Sequence, residues 1–228
     1  MSLLRAFATT ETARVLRGGE GASAVHLRAP QPHDFVDWAA LREESRAFLQ
    51  PWEPQWAEDE LTRSAYRRRL RRYAREIRDG RAYPFFLFRE EDGALVGGAT
   101  LSNIRRGVAQ ACSLGYWMGA AHAGKGYMSE AVRVLLAFAF GELALHRVEA
   151  ACLPHNAASQ RLLEKAGFSR EGYARHYLRI AGKWQDHLLF ARLSSDVATG
   201  DTLADIQPRH SPVWRVQAGV LAGEKEIL

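Results

Sequence analysis

Between residues 83 and 118 the apolar residues fall into three short runs, and beyond residue 128 their spacing changes. Tyr83-Pro84-Phe85-Phe86-Leu87-Phe88 reads as a strand closed by the turn Glu91-Asp92-Gly93. Residues 95–102 and 111–118 follow as two more strands, separated by the turn Arg105-Arg106-Gly107. Three consecutive strands with tight turns predict an antiparallel meander. Met128, Val132, Leu135, Leu136, Ala139 and Leu143 then recur at helical spacing, and Val148, Ala150 and Cys152 line one side of another strand. A shorter helix over 157–166 ends at Gly167-Phe168, a glycine stop signal. Two strands around Ala181-Gly182 carry the pattern to Leu193. A strand–helix–strand–helix–strand block joined to a meander restricts the chain to a mixed α/β (α+β) sheet.

Upstream, residues 25–30 alternate as a strand, and Ala13-Arg14-Val15-Leu16 reads as one short strand before Gly18-Gly19. Asp34 is placed to cap a helix running to about residue 48, with Phe35, Trp38, Leu41 and Leu49 at helical spacing. Pro51-Trp52-Glu53-Pro54 forms a rigid turn, because proline fixes φ and disfavours helix before it. The organisation expected is an N-terminal extension over 1–24, one domain over 25–193, and a tail or oligomer contact over 194–228 that carries Pro208, Pro212 and Trp214. The longest apolar run, from Val134 to Phe140, falls well short of the roughly 18 residues that span a bilayer. Cys112 and Cys152 are too isolated for a disulfide framework or a metal site and read as buried thiols. No histidine, cysteine or carboxylate cluster has metal-ligand spacing. A cytoplasmic chain without membrane partner or metal is expected.

The net charge is +5 and unevenly spread. Nine arginines lie between Arg63 and Arg81 against only Glu76 and Asp79, and the rest of the chain is slightly acidic. The global basicity therefore does not mark a nucleic-acid-binding protein. Within that segment Tyr66, Leu70, Tyr73 and Ile77 form one apolar stripe of a helix. Its basic side is either solvated surface or a docking face for an acidic partner such as ribosomal RNA or an acidic cofactor tail.

The segment that carries chemistry is Ala121-His122-Ala123-Gly124-Lys125-Gly126-Tyr127, between the strand ending at Met118 and the helix that follows. Its glycines let the backbone approach a ligand, and N–H groups at a helix start form an anion site beside the Lys125 charge. It matches neither the Walker A sequence nor a GxGxxG fingerprint. Downstream, Pro154-His155-Asn156-Ala157-Ala158-Ser159 opens the shorter helix, with Asn156 at the N-cap.

These elements resemble the GNAT N-acetyltransferases, specifically the Rim-type ribosomal-protein-alanine acetyltransferases of the RimJ branch, over residues 24–193. The resemblance rests on six motifs in order: Phe48-Leu49-Gln50-Pro51-Trp52-Glu53-Pro54, Ser102-Asn103-Ile104-Arg105-Arg106-Gly107, Leu114-Gly115-Tyr116, Pro154-His155-Asn156, Glu171-Gly172-Tyr173-Ala174 and Gly182-Lys183-Trp184-Gln185-Asp186-His187. It implies a mixed, mostly antiparallel sheet with helices on both faces. It implies acetyl-CoA as cofactor, with its diphosphate on the amides of His122, Ala123, Gly124, Lys125, Gly126 and Tyr127. The pantetheine arm would pair with Leu114-Gly115-Tyr116-Trp117-Met118, where that strand splays from the strand over 146–153. Asn156 would face the pantetheine or the acceptor amine, and Ser159 the thiolate.

Many relatives carry a carboxylate base and a tyrosine acid at positions that here hold Ala151 and Leu163. Ser159 is then the candidate proton donor, with Asn156 beside it; Glu149, His155 or a relayed water are fallback bases. Trp52, Glu53, Asn103, Trp184 and Asp186 are candidates to line the acceptor groove, against plain packing roles. An α-amine titrates at about 7.7–8.0 and a lysine at about 10.4, so presenting a neutral α-amine costs roughly 3.5 kcal/mol less. A site without a strong base therefore fits a protein N-terminus, such as a ribosomal protein beginning with alanine. The alternatives are a small amine, such as an amino acid or antibiotic, and a non-catalytic ribosome-binding or assembly protein. The protein itself would be a monomer or homodimer.

Overall fold

The computed structural model describes residues 15–196. Among them eight strands form one sheet: β1 (Val15–Gly18), β2 (Val25–Arg28), β3 (Tyr83–Arg89), β4 (Leu95–Arg105), β5 (Ala111–Met118), β6 (Arg147–Cys152), β7 (Ser169–Ile180) and β8 (Lys183–Leu193). Their spatial order is β1-β2-β3-β4-β5-β6-β8-β7. Every neighbouring pair is antiparallel except β5 and β6, which are parallel. The helices are α1 (Phe35–Glu44), α2 (Arg46–Leu49), α3 (Arg63–Arg78), α4 (Tyr127–Ala137) and α5 (Ala157–Lys165).

The sheet is covered on both faces, which explains the unbroken apolar run of β3. Phe85 and Leu87 join Val132, Leu135 and Leu163 in one buried cluster with α4 and α5. Phe86 and Phe88 join Trp38, Leu41 and Tyr66 in a second cluster with α1 and α3. Among the described residues no helix is long and apolar enough to cross a membrane.

Several local expectations change. β1 pairs with β2, so the sheet takes in part of the segment read as an extension. Ala13, Arg14 and the tail residues Pro208, Pro212 and Trp214 lie outside the described residues. Asp34 does not cap α1: its carboxylate sits 2.6 Å from Arg28 Nη2 and accepts the Gln31 N–H at 2.7 Å. Gln31 instead caps a short 3-10 turn over Pro32–Asp34. The single helix expected to about residue 48 is broken at Ser45 (φ −97°, ψ 6°). Its buried hydroxyl accepts the Ala120 N–H at 2.9 Å, which anchors the loop before α4. The helix expected to reach Leu143 ends earlier, in a π turn over Phe138–Glu142.

Candidate active site

The chain parts where its one parallel strand pair begins to separate. β5 and β6 pair only at Ala111 with Arg147, Cys112 with Val148 and Ser113 with Glu149. Past Ser113, β5 continues on β4 to Met118 while β6 continues on β8 to Cys152. One edge of residues 114–118 is thereby left without a strand partner, and an open edge offers its N–H and C=O groups to an extended ligand.

The loop at the end of β5 is held from behind and open in front. Gly119 donates to the Val96 carbonyl at 2.9 Å, and a Cβ on Gly119 would sit 2.4 Å from Leu41 Cδ1, so any larger residue would have to displace the Leu41 side chain of α1. Gly124 (φ +75°) and Gly126 (φ +88°) then take left-handed conformations, with no atom within 4 Å of a Cβ built on Gly124. Gly126 is the N-cap of α4 and has no side chain to meet the first-turn N–H groups. Those groups, the positive end of the helix dipole and Lys125 make a fit for a diphosphate. Burial, with Arg89 and Lys125 nearby, pushes the His122 imidazole below its ordinary value, so it adds no charge at neutral pH.

Alternation along β5 sends Leu114, Tyr116 and Met118 toward the α4–α5 side. Trp117 faces the other way, edge-on to Phe86 and over the Arg42 guanidinium. Glycine at 98 permits this, since a Cβ there would lie 2.6 Å from Trp117 Nε1. Tyr116 reaches across the gap and places its hydroxyl 2.5 Å from Ser159 Oγ in the first turn of α5. Asn156 Oδ1 accepts the Ser159 N–H at 3.0 Å and so caps that helix. Burial pushes the Tyr116 phenol up to about 12, opposed in part by its hydrogen bond to Ser159. Burial likewise raises the Cys152 thiol beside Ser159. Neither Leu163 nor Ala151 carries a polar side chain, and Ser159 with Tyr116 forms a hydrogen-bonded proton-bearing pair across the gap.

The remaining candidates separate into groups. The Glu149 carboxylate is engaged by Arg105 and Arg147, and Arg147 also binds Glu171. His155 packs its ring against Trp52, with centroids 5.4 Å apart. Glu53 receives Arg42 through two bonds of 3.0 and 2.6 Å and the Trp56 indole N–H at 2.7 Å. Its carbonyl accepts the Ala181 N–H at 2.9 Å, pinning the tip of the β7–β8 hairpin to the proline turn. Beside this junction lies an open cavity of about 420 Å³ lined by Arg46, Gln50, Gln55, Trp56 and Ala181. No hydrogen bond, ion pair or ring contact joins Asn103, Trp184 or Asp186 to Trp52 and Glu53. Asn103 donates to Ser113 Oγ at 3.4 Å, and Trp184 is 61% exposed. Asp186 accepts from Tyr173 and from the His176 N–H, bracing a bulge in β7. The side-chain role of Tyr116 and the Arg42–Glu53–Trp56 cluster are new; the first could have been found only by knowing which face of β5 meets α5.

Comparison with known proteins follows the same geometry. A family model described as an acetyltransferase (GNAT) domain matches residues 24–169. The protein named "Probable N-acetyltransferase YjcK" of Bacillus subtilis is 38% identical over 172 residues, covering 75% of this chain and 95% of its own length. The [ribosomal protein uS5]-alanine N-acetyltransferase of Escherichia coli is 38% identical over 170 residues, covering 74% of this chain and 88% of its own. Among solved structures, Mycobacterium smegmatis RimJ in complex with CoA-disulfide superposes with a TM-score of 0.78 at 29% identity, covering 85% of this chain and 92% of that one. The ribosomal-protein-S5-alanine acetyltransferase of Vibrio fischeri gives 0.72 at 31% identity, covering 78% and 97%.

Proposed function

Given that this chain belongs to the GNAT acetyltransferase family, we propose that it moves an acetyl group from acetyl-CoA to the N-terminal α-amine of a protein, with a ribosomal protein as acceptor. The activity is N-acetyl transfer. The observation that carries the reading is the parting of β5 and β6 after Ser113 beside the uncapped start of α4. The reading sets the reaction in the cytoplasm, where ribosomal proteins are made.

Bound acetyl-CoA supplies an activated thioester. Of the amides of residues 122–127, those of His122 and Ala123 already donate to the Gly119 and Ala120 carbonyls, which leaves residues 124–127, with Lys125, to hold its diphosphate; the free edge of 114–118 aligns its pantetheine arm as an added strand. Ser159 Oγ holds a proton where the thiolate leaves, and Tyr116 fixes the direction of that hydroxyl. Asn156 orients the turn that carries Ser159. Ala151 offers no base, and Glu149 and His155 are engaged by arginines and by Trp52. An acceptor that is partly neutral near pH 7 then suits the site, which favours an α-amine at about 7.7–8.0 over a lysine at about 10.4. Catalysis is mainly by positioning. A cationic small molecule would call for free negative charge at the acceptor side, whereas Glu53 there is neutralised by Arg42. Trp52 and the hairpin tip at Ala181 border the acceptor entrance in this reading.

The test compares kcat/KM for short peptides beginning with alanine, for N-blocked lysine peptides and for free amino acids and aminoglycosides. The reading expects the first group to lead by at least about 10²-fold. Equal or greater efficiency on small amines would move the protein to the small-molecule acetyltransferases.

A further inference from the structure

The arginine helix carries a charged face that acetyl transfer does not use. Its positive side chains divide into two sets. Arg68 pairs with Asp59, Arg69 with Glu60, Arg72 with Glu76 and Arg78 with Asp79. Arg69 and Arg72 also lie over the rings of Trp38 and Tyr73. Arg67, Arg71 and Arg75 make no ion pair among the described residues and are exposed. Arg63, one turn before them, rests on the Phe35 ring at 4.6 Å and is also exposed.

These four arginines stand at i, i+4, i+8 and i+12, so they form one column about 18 Å long on the solvent side of α3. Like charges at i, i+4 repel and weaken a helix. The first turn adds a further mismatch, since it holds no acid to offset Arg63 at the positive end of the dipole. The column is therefore maintained against local helix stability. Along its inner side runs an open groove of about 340 Å³ lined by Pro32, Phe35, Tyr66 and Leu70 together with Arg63, Arg67 and Arg71.

We infer that this column is a docking face for the phosphodiester backbone of folded RNA. Guanidinium groups match phosphate oxygens through paired N–H bonds, and evenly spaced single-sign charges match an evenly charged backbone better than the irregular carboxylates of an acidic protein. The apolar groove beside the column can take sugar edges. The inference stands on the charge arrangement of α3 and does not need the acetyl-transfer reading, although RNA beside a ribosomal acceptor would bring the two together.

The test measures binding of the full-length protein to a fluorescein-labelled RNA hairpin by anisotropy across a salt series. Arg67→Gln/Arg71→Gln/Arg75→Gln should lose at least about tenfold in affinity, with a salt slope shallower by about two to three units. It should keep kcat/KM on a free peptide within about twofold and melt no lower than the parent, because repulsion is removed. Arg68→Gln/Arg72→Gln, on the paired side, should bind RNA within about twofold of the parent. Unchanged RNA affinity in the triple variant overturns the inference. So does tighter binding of polyglutamate than of the hairpin, which would assign the face to an acidic protein. RNA binding without acetyl transfer would sink the enzymatic reading alone; acetyl transfer without RNA binding would sink this one alone.

Discussion

The Tyr116 phenol and the Ser159 hydroxyl, one on β5 and one on α5, lie 2.5 Å apart across the gap that opens between β5 and β6. The contact puts a proton-bearing pair where neither position 151 nor position 163 can provide one. Ser159→Ala should lower kcat by about 10²-fold and leave the acetyl-CoA KM within about twofold, since the proton held for the leaving thiolate is lost while the diphosphate and pantetheine contacts remain. Tyr116→Phe should cost less, about tenfold in kcat, because the serine loses its guide but keeps its proton. Steady-state kinetics with both substrates varied separates the two parameters.

The same burial sets the pH response. With the Tyr116 phenol pushed up to about 12, it stays protonated well above neutrality. The rate should climb as the acceptor α-amine loses its proton near pH about 8 and stay level to about pH 10. Stability runs the other way with pH. The unfolded tyrosine ionises from about pH 10 and the folded one only near 12, so the contribution is complete below 10 and is lost as pH rises through that window. Thermal melts between pH 9 and about 12 should fall more steeply for the parent than for Tyr116→Phe.

Substitution at Gly124 should separate binding from folding. Space around a built Cβ is empty, so Gly124→Trp need disturb little of the fold beyond about 1 kcal/mol for a side chain at φ +75°. The indole would project into the place assigned to the diphosphate. Calorimetry should show acetyl-CoA affinity reduced by at least about 10²-fold with the melting temperature lower by only a few degrees.

Glu53 joins the acceptor side to the core. The Arg42 side chain it neutralises is 5% exposed and its own is 19% exposed. Glu53→Gln should cost about 3 kcal/mol, since it leaves a buried guanidinium without its counter-charge. Arg42→Met added to it should recover much of that loss in urea unfolding. The Glu53 carboxylate fixes the turn whose backbone carbonyl accepts the Ala181 N–H, so loosening that turn in Glu53→Gln should raise the acceptor KM and leave the acetyl-CoA KM unchanged.

The elements most readable from sequence were those fixed by short-range chemistry. The β3–β4–β5 meander followed from turn residues and apolar runs, and α3 from its stripe; its Thr62 cap, whose side chain accepts the Ala65 N–H at 3.2 Å, emerged only in the fold. The loop glycines at 124 and 126, read as letting the backbone approach a ligand, stand in left-handed conformations. What escaped depends on contacts distant in the chain. Asp34 looks like a cap until Arg28 and Gln31 are seen to claim its carboxylate. The break at Ser45 arises from its bond to Ala120. The Tyr116 contact with Ser159 bridges two elements whose relative placement no local pattern encodes. Glu149 is a free carboxylate in the sequence and an occupied one in the fold, because Arg147 stands two residues before it on β6 and the β4–β5–β6 register brings Arg105 within reach.

A structure of the protein with coenzyme A bound is the most direct measurement. The diphosphate is predicted on the amides of residues 124–127, with the pantetheine arm along 114–118 and the thiol within hydrogen-bonding reach of Ser159 Oγ. A nucleotide seated elsewhere, or a thiol remote from Ser159 with the strand gap empty, would contradict the account.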